Sequence, residues 1–112
     1  MKLEIASAQL AALGNPIRLK IYRLLVRAGG EGLAVGAVQD RIGIPASSLS
    51  HHIRELVATG LVSQERQATA LICRAQFRAM NALIGYLSDE CCADSATGCG
   101  PAAPSSRKRA QA

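Results

Sequence analysis

The stretch AVGAVQDRIGIPASSLSHHIRELVATGLVSQER constrains this chain more than any other. Two short amphipathic segments are split by Gly43-Ile44-Pro45, and after Gly60 the apolar period changes from helical to alternating. In the first segment, residues 34–42, Val35, Val38 and Ile42 share one face. In the second, residues 45–59, Leu49, Ile53, Leu56 and Val57 do the same, and Gly60 suits a helix end. Residues 61–66 and 69–74 then read as two short strands around Gln67-Ala68. Helices this short do not hold in water alone, so both must pack on other elements.

The flanks supply them. Leu3, Ala6, Leu10 and Leu13 recur at helical spacing until Gly14. Asn15-Pro16 restarts a helix, with Asn as amide acceptor and Pro at the first helical position. Its apolar stripe is Ile17, Ile21, Leu24 and Leu25, its polar face Arg18, Lys20, Arg23 and Arg27, and Gly29-Gly30 ends it. A last helix over residues 76–89 places Phe77, Met80, Leu83, Ile84 and Leu87 on one face. After Gly98 the sequence GPAAPSSRKRAQA reads as a disordered basic tail. The expected division is therefore a folded domain over 1–90, a cysteine-bearing segment over 91–100 and a tail over 101–112.

Helix, short break, helix, then hairpin is the order of a winged helix-turn-helix. The expected fold is mainly α with a small β-hairpin, about five helices and two strands. Such a unit suits double-stranded DNA, because an α-helix fits the major groove and presents its outer side chains to base edges. On residues 45–59 that outer face is Ser47, Ser48, Ser50, His51 and Arg54. His52 adjoins Ile53 and can equally be a half-buried packing residue, yet it is kept among the candidate DNA contacts. Arg66 and Arg74 on the hairpin are candidates for the phosphate backbone. A polar helix face is often only solvated, so the order of elements carries more weight than composition. His51 and His52 are adjacent, point apart on a helix and make a poor metal pair.

Charge adds little. The net charge is +5, but Arg107, Lys108 and Arg109 lie in the tail. Aromatic residues make up only 3% of the chain, so the core must come from Leu, Ile, Val and Ala. A core of that kind in 112 residues gains from a second copy, and the apolar first and last helices could pack across a two-fold axis. No apolar run approaches the roughly 18 residues of a membrane span. The opening MKLEIASAQLAALG reads as an amphipathic helix and not as a signal peptide. The expected compartment is the cytoplasm, where cysteines serve as metal ligands or redox sensors more often than as structural disulfides. There is no nucleophile paired with a base, no Gly-rich phosphate loop and no catalytic carboxylate pair, so no enzyme is expected.

Three of the four cysteines crowd into ECCADSATGCG, where the helical pattern ends. Residues 94–98 can turn Cys99 back toward Cys91 and Cys92, so that three sulfurs converge on one soft acceptor. Trivalent arsenic and antimony take three sulfurs in a pyramid, whereas zinc prefers a fourth ligand and no His lies nearby. The spacing is not that of a zinc finger. A reversible Cys92–Cys99 disulfide is the redox alternative, and incidental cysteines in a flexible tail the bland one. Cys73, beside Leu71 and Ile72, reads as a small packing residue.

The segments ALGNPIRLKIYRLLV and GIPASSLSHHIRELVATGLV, with the hairpin after them, resemble the ArsR/SmtB family of metal-responsive bacterial repressors. Leu49-Ser50-His51-His52-Ile53, Leu56 and Gly60-Leu61-Val62 stand where that family has its recognition helix. The resemblance spans residues 8–90 and implies a winged-helix homodimer that represses its own operon and releases it when metal binds. The hairpin departs from the family, with Gln67-Ala68-Thr69-Ala70-Leu71-Ile72 where Gly and aromatics are frequent. Two sensor sites known in the family are missing: residues 34–40 hold no cysteine, and residues 76–90 no histidine. Some arsenite-responsive members carry a vicinal cysteine pair at the end of the last helix and a third cysteine downstream. By that resemblance Cys91, Cys92 and Cys99 are ligands of trivalent arsenic, the inducer. A thiol redox repressor, a sensor of antimony, bismuth, cadmium or zinc, and a metal-sequestering protein with no DNA role remain as alternatives.

Overall fold

The computed structural model describes residues 1–98. Helices α1 (Leu3–Leu13) and α2 (Pro16–Ala28) come first. Asn15 sets the corner between them: its Oδ1 accepts from the amides of Ile17 (2.9 Å) and Arg18 (3.1 Å), and Pro16 opens α2. A 3-10 turn (Gly29–Glu31) leads into strand β1 (Leu33–Ala34). Then follow α3 (Val35–Ile42), α4 (Ala46–Ala58), β2 (Val62–Gln67), β3 (Ala70–Ala75) and α5 (Phe77–Ser88).

The sheet is antiparallel with the order β1-β3-β2, so the expectation of two strands is corrected to three. Leu33 pairs with Cys73 and Ala34 with Ile72. A two-residue strand has no periodicity to betray it in the sequence. Gly32 makes this edge possible: at φ +71° its missing Cβ would lie 2.4 Å from the carbonyl oxygen of Cys73. The hairpin turns at Ala68-Thr69, one residue later than expected, with Gln67 opposite Ala70. Ala68 adopts φ 55°, a left-handed conformation that costs a non-glycine residue about 1 kcal/mol.

The core is aliphatic. Ile21, Leu25, Val38, Leu49, Leu56, Leu61 and Cys73 are fully buried, so α2, α3, α4 and the sheet share one interior. The end of α4 is locked by backbone bonds. The Gly60 amide donates to Val57 O (3.0 Å) and the Leu61 amide to Leu56 O (3.2 Å). This pair of bonds, with Gly60 at φ +81°, is a Schellman cap. Its usual apolar contact is between two fully buried residues, Leu56 and Leu61.

The outer helices depart from the expected stripes. α1 buries Ala6, Gln9 and Ala12, while Leu3 is 64% exposed and Leu10 41%. Alanines let α1 lie close to its neighbours, and that turns the larger apolar side chains outward. α5 buries Leu83 and leaves Ile84 and Leu87 exposed. The two helices touch each other, so these outward side chains lie on neighbouring elements. No helix among the described residues is long and apolar enough to cross a membrane.

Candidate nucleic-acid interface and cysteine turn

Helix α4 is fixed by its inner face. Leu49 and Leu56 are fully buried and Ile53 is 2% exposed, which sets the face of the helix that turns inward. The same rotation exposes Ser47, Ser48, Ser50, His51 and Arg54. All five lie where the sequence placed them, on the outer face. Ser50 and Arg54 line one wall of a groove of about 640 Å³, and Arg66 and Thr69 of the β2–β3 wing line the other. Gly36, at the start of α3, and Gln64 also line it. Sequence reasoning missed Gly36, Gln64 and Thr69. None has a charge or a periodic position to mark it, and they join the site only once the hairpin folds over α3 and α4.

The arginines divide into two kinds. Among the described residues the one ion pair is Arg74 with Glu65, at 2.6 Å. Arg74 also donates from Nε to Gly30 O (2.9 Å), so its guanidinium ties the wing to the 3-10 turn. Glu65 is held below the usual carboxylate range by hydrogen bonds from Arg74 and then Gln67. Arg54 and Arg66 have no carboxylate partner among the described residues and remain open to an anionic partner. Arg74 sits next to the candidate interface as a brace rather than on its open face.

His52, kept among the candidate DNA contacts, is instead half-buried behind the outer face, with its Nδ1 3.3 Å from Nη1 of Arg18. Its pKa falls below the ordinary imidazole value, first through burial and then through the charge of Arg18. Cys73 is a buried packing residue as expected, its thiol pushed up by burial against a weak bond from Gln64.

Beyond α5 the chain turns sharply. Cys91 donates its amide to Ser88 O (3.0 Å) and Ala93 to Glu90 O (2.9 Å), while Glu90 and Cys92 take left-handed φ values of 61° and 62°. These turns bring Sγ of Cys91 to 3.6 Å from Sγ of Cys92. Cys92 is disulfide-bonded. Cys99 and the tail over 101–112 lie outside the described residues. Among the described residues no three His, Cys, Asp or Glu side chains converge as a metal site.

Residues 13–65 match the helix-turn-helix domain family. The chain is 40% identical over 86 residues to nodulation protein NolR of Rhizobium meliloti, covering 77% of this chain and 68% of that protein. The crystal structure of NolR from Sinorhizobium fredii superposes with a TM-score of 0.62 at 37% identity, over 77% of this chain and 83% of that one. A third relative is the homodimeric winged helix-turn-helix DNA-binding domain of a possible ArsR-family transcriptional regulator from Mycobacterium bovis. It matches at 30% identity and a TM-score of 0.62, over 79% of this chain and 82% of that one. With its three-stranded sheet, its α3–break–α4 unit and these relatives, the chain belongs to the winged helix-turn-helix transcriptional regulators of the ArsR family.

Proposed function

We propose that this protein is a homodimeric repressor that leaves its operator when trivalent arsenic binds Cys91, Cys92 and Cys99. The observation that carries the sensing half is the Cys91–Cys92 contact of 3.6 Å at the end of α5. Two thiolates that share one ion at about 2.3 Å stand about 3.8 Å apart at a tetrahedral angle and somewhat closer in a pyramid, so this spacing suits two ligands of a single soft ion. Both sulfurs must be thiolates to act so, and the Cys92 disulfide has to be reduced first. Cys99, seven residues after Cys92, supplies the third sulfur. Arsenic in this role is the inducer that the protein reports.

The outward apolar residues of α1 and α5, among them Leu3, Leu10, Ile84 and Leu87, form the face for a second copy. A two-fold axis there sets two α4 helices about 34 Å apart, one turn of DNA. Ser50, His51 and Arg54 face base edges, and Arg66 faces phosphates. Strapping the chain after α5 back onto that helix changes the face on which the dimer rests. The reading heads then lose their spacing, which lowers operator affinity by the coupling energy, typically 1–3 kcal/mol.

The Cys92 disulfide favours a second reading on the same scaffold, a thiol redox repressor. One experiment separates the two. Fluorescence anisotropy with upstream promoter DNA is measured for reduced wild type and Cys99→Ser, with arsenite and with peroxide. Arsenite release of wild type alone supports arsenic sensing. Release by peroxide, reversed by dithiothreitol and absent with arsenite, supports the redox repressor. No sequence-specific binding under any condition refutes both.

A further inference from the structure

Helix α1 contributes nothing to the groove between α4 and the wing, yet two hydrogen-bonded routes tie it to α4. In the first, the buried Gln9 donates from Nε2 to Thr59 O (3.0 Å) at the end of α4. In the second, Arg18 reaches both ways. Its Nε donates to Ala12 O in the last turn of α1 (2.7 Å), and its Nη1 lies 3.3 Å from Nδ1 of His52 in the middle of α4. A guanidinium only donates, so Nδ1 accepts and the imidazole is neutral with its proton on Nε2. Ile53, next in the chain, is 2% exposed, so the ring that Arg18 grips adjoins the face that sets the rotation of α4.

We propose that Arg18 is a positioning residue for operator recognition: through His52 it locks the rotation of α4 against the α1–α2 corner. This rests on the reading of α4 as the DNA-contacting helix. Its consequence is a route from the dimer to the reading face. The helix whose Ala12 carbonyl Arg18 holds is also the one that turns Leu3, Ile5 and Leu10 outward. A shift of α1 at the two-fold axis moves that carbonyl, and with it the grip on His52. Lysine cannot replace Arg18 here, because one ammonium group lacks the fork that spans Ala12 O and His52.

The test compares operator binding by the full chain carrying Arg18→Gln, Arg18→Lys, His52→Ala, His52→Asn or the Arg18→Gln/His52→Ala pair. Asparagine places an acceptor oxygen near the position of Nδ1, so His52→Asn keeps the lock. Expected are losses of about tenfold for Arg18→Gln, Arg18→Lys and His52→Ala, no further loss in the pair, and near wild-type binding for His52→Asn. An NMR titration supplies a readout that packing alone would not move. The charged groups facing the His52 ring are Arg18 of α2 and His51 and Glu55 of α4. Removing Arg18 therefore raises the His52 pKa, while His51 still lowers it and Glu55 still raises it. Should Arg18→Gln melt below the assay temperature, the two His52 variants decide the matter alone. The proposal is overturned if Arg18→Gln or His52→Ala binds like wild type, if the two losses multiply, or if His52→Asn fails as badly as His52→Ala. Wild type that binds no specific DNA would instead remove the reading on which it rests.

Discussion

Helix α4 and the cysteine turn differ in what holds them. α4 is held from within by Leu49, Ile53 and Leu56, capped by two backbone bonds and gripped at His52. The cysteine turn carries short-range backbone bonds and the Cys92 disulfide, with Cys91 exposed and Glu90 and Cys92 in left-handed backbone. Each arrangement suits a different task. A reading head must keep one geometry, so it is built into the core. Under the proposed function the cysteine turn is the segment that changes when arsenic binds, and it lies beyond the end of α5, outside the shared core.

That contrast predicts unequal responses to substitution. The largest effect is expected inside α4. Leu49→Ala removes fully buried methyl groups and should cost about 2–5 kcal/mol of stability, read as a fall in thermal midpoint. A melt within a degree or two of wild type would show that α4 is not anchored as described. Next comes Arg54→Ala, which removes an exposed guanidinium. Operator affinity should fall by about 1–3 kcal/mol while the melt stays put. Joint loss of fold and binding would mean that Arg54 supports structure instead. The cysteine turn should behave in the opposite way to α4. Cys91→Ser should leave the melt and the reduced protein's operator affinity unchanged, and it should abolish release by arsenite.

Smaller effects refine the picture. His52 has a depressed pKa in the fold, so the unfolded chain binds its proton more readily. Its contribution is fully present above the unfolded value near 6.5 and is lost as pH falls through that value toward the folded one. Urea midpoints should accordingly drop between pH 7.5 and 5, and less so in His52→Asn; an unchanged difference would remove His52 from the explanation. Smallest of all is Ala68→Gly at the wing tip. It relieves a φ of 55° and should raise stability by no more than about 1 kcal/mol.

Much of the fold was legible because periodicity reports burial. The Asn15-Pro16 start, the Gly43-Ile44-Pro45 break, the inner face of α4 and the Gly60 cap each follow from local rules that the tertiary structure leaves intact. What escaped notice depends on distant partners. β1 exists only because β3 lies beside Gly32, and two residues carry no pattern. Leu3 and Leu10 of α1 were expected to be available to a second copy and are exposed, but periodicity alone did not show that Ala6, Gln9 and Ala12 form the buried face instead. The outer face of α4 was legible as exposed, whereas the role of Arg74 was not. Its charge suggested phosphate, and only the fold brings Glu65 and Gly30 O within reach. The Arg18–His52 contact joins residues 34 apart in sequence, and no local signal marks it.

The proposed function couples the cysteine turn to operator binding, and such a coupling is reciprocal by linkage. Arsenite is titrated into the reduced protein, once free and once saturated with operator DNA. Weaker binding by the DNA-bound form, by about 5–150-fold, is predicted. Equal affinity in the two states would show that the sulfurs and the operator do not communicate, and arsenic would then be a bystander on this protein.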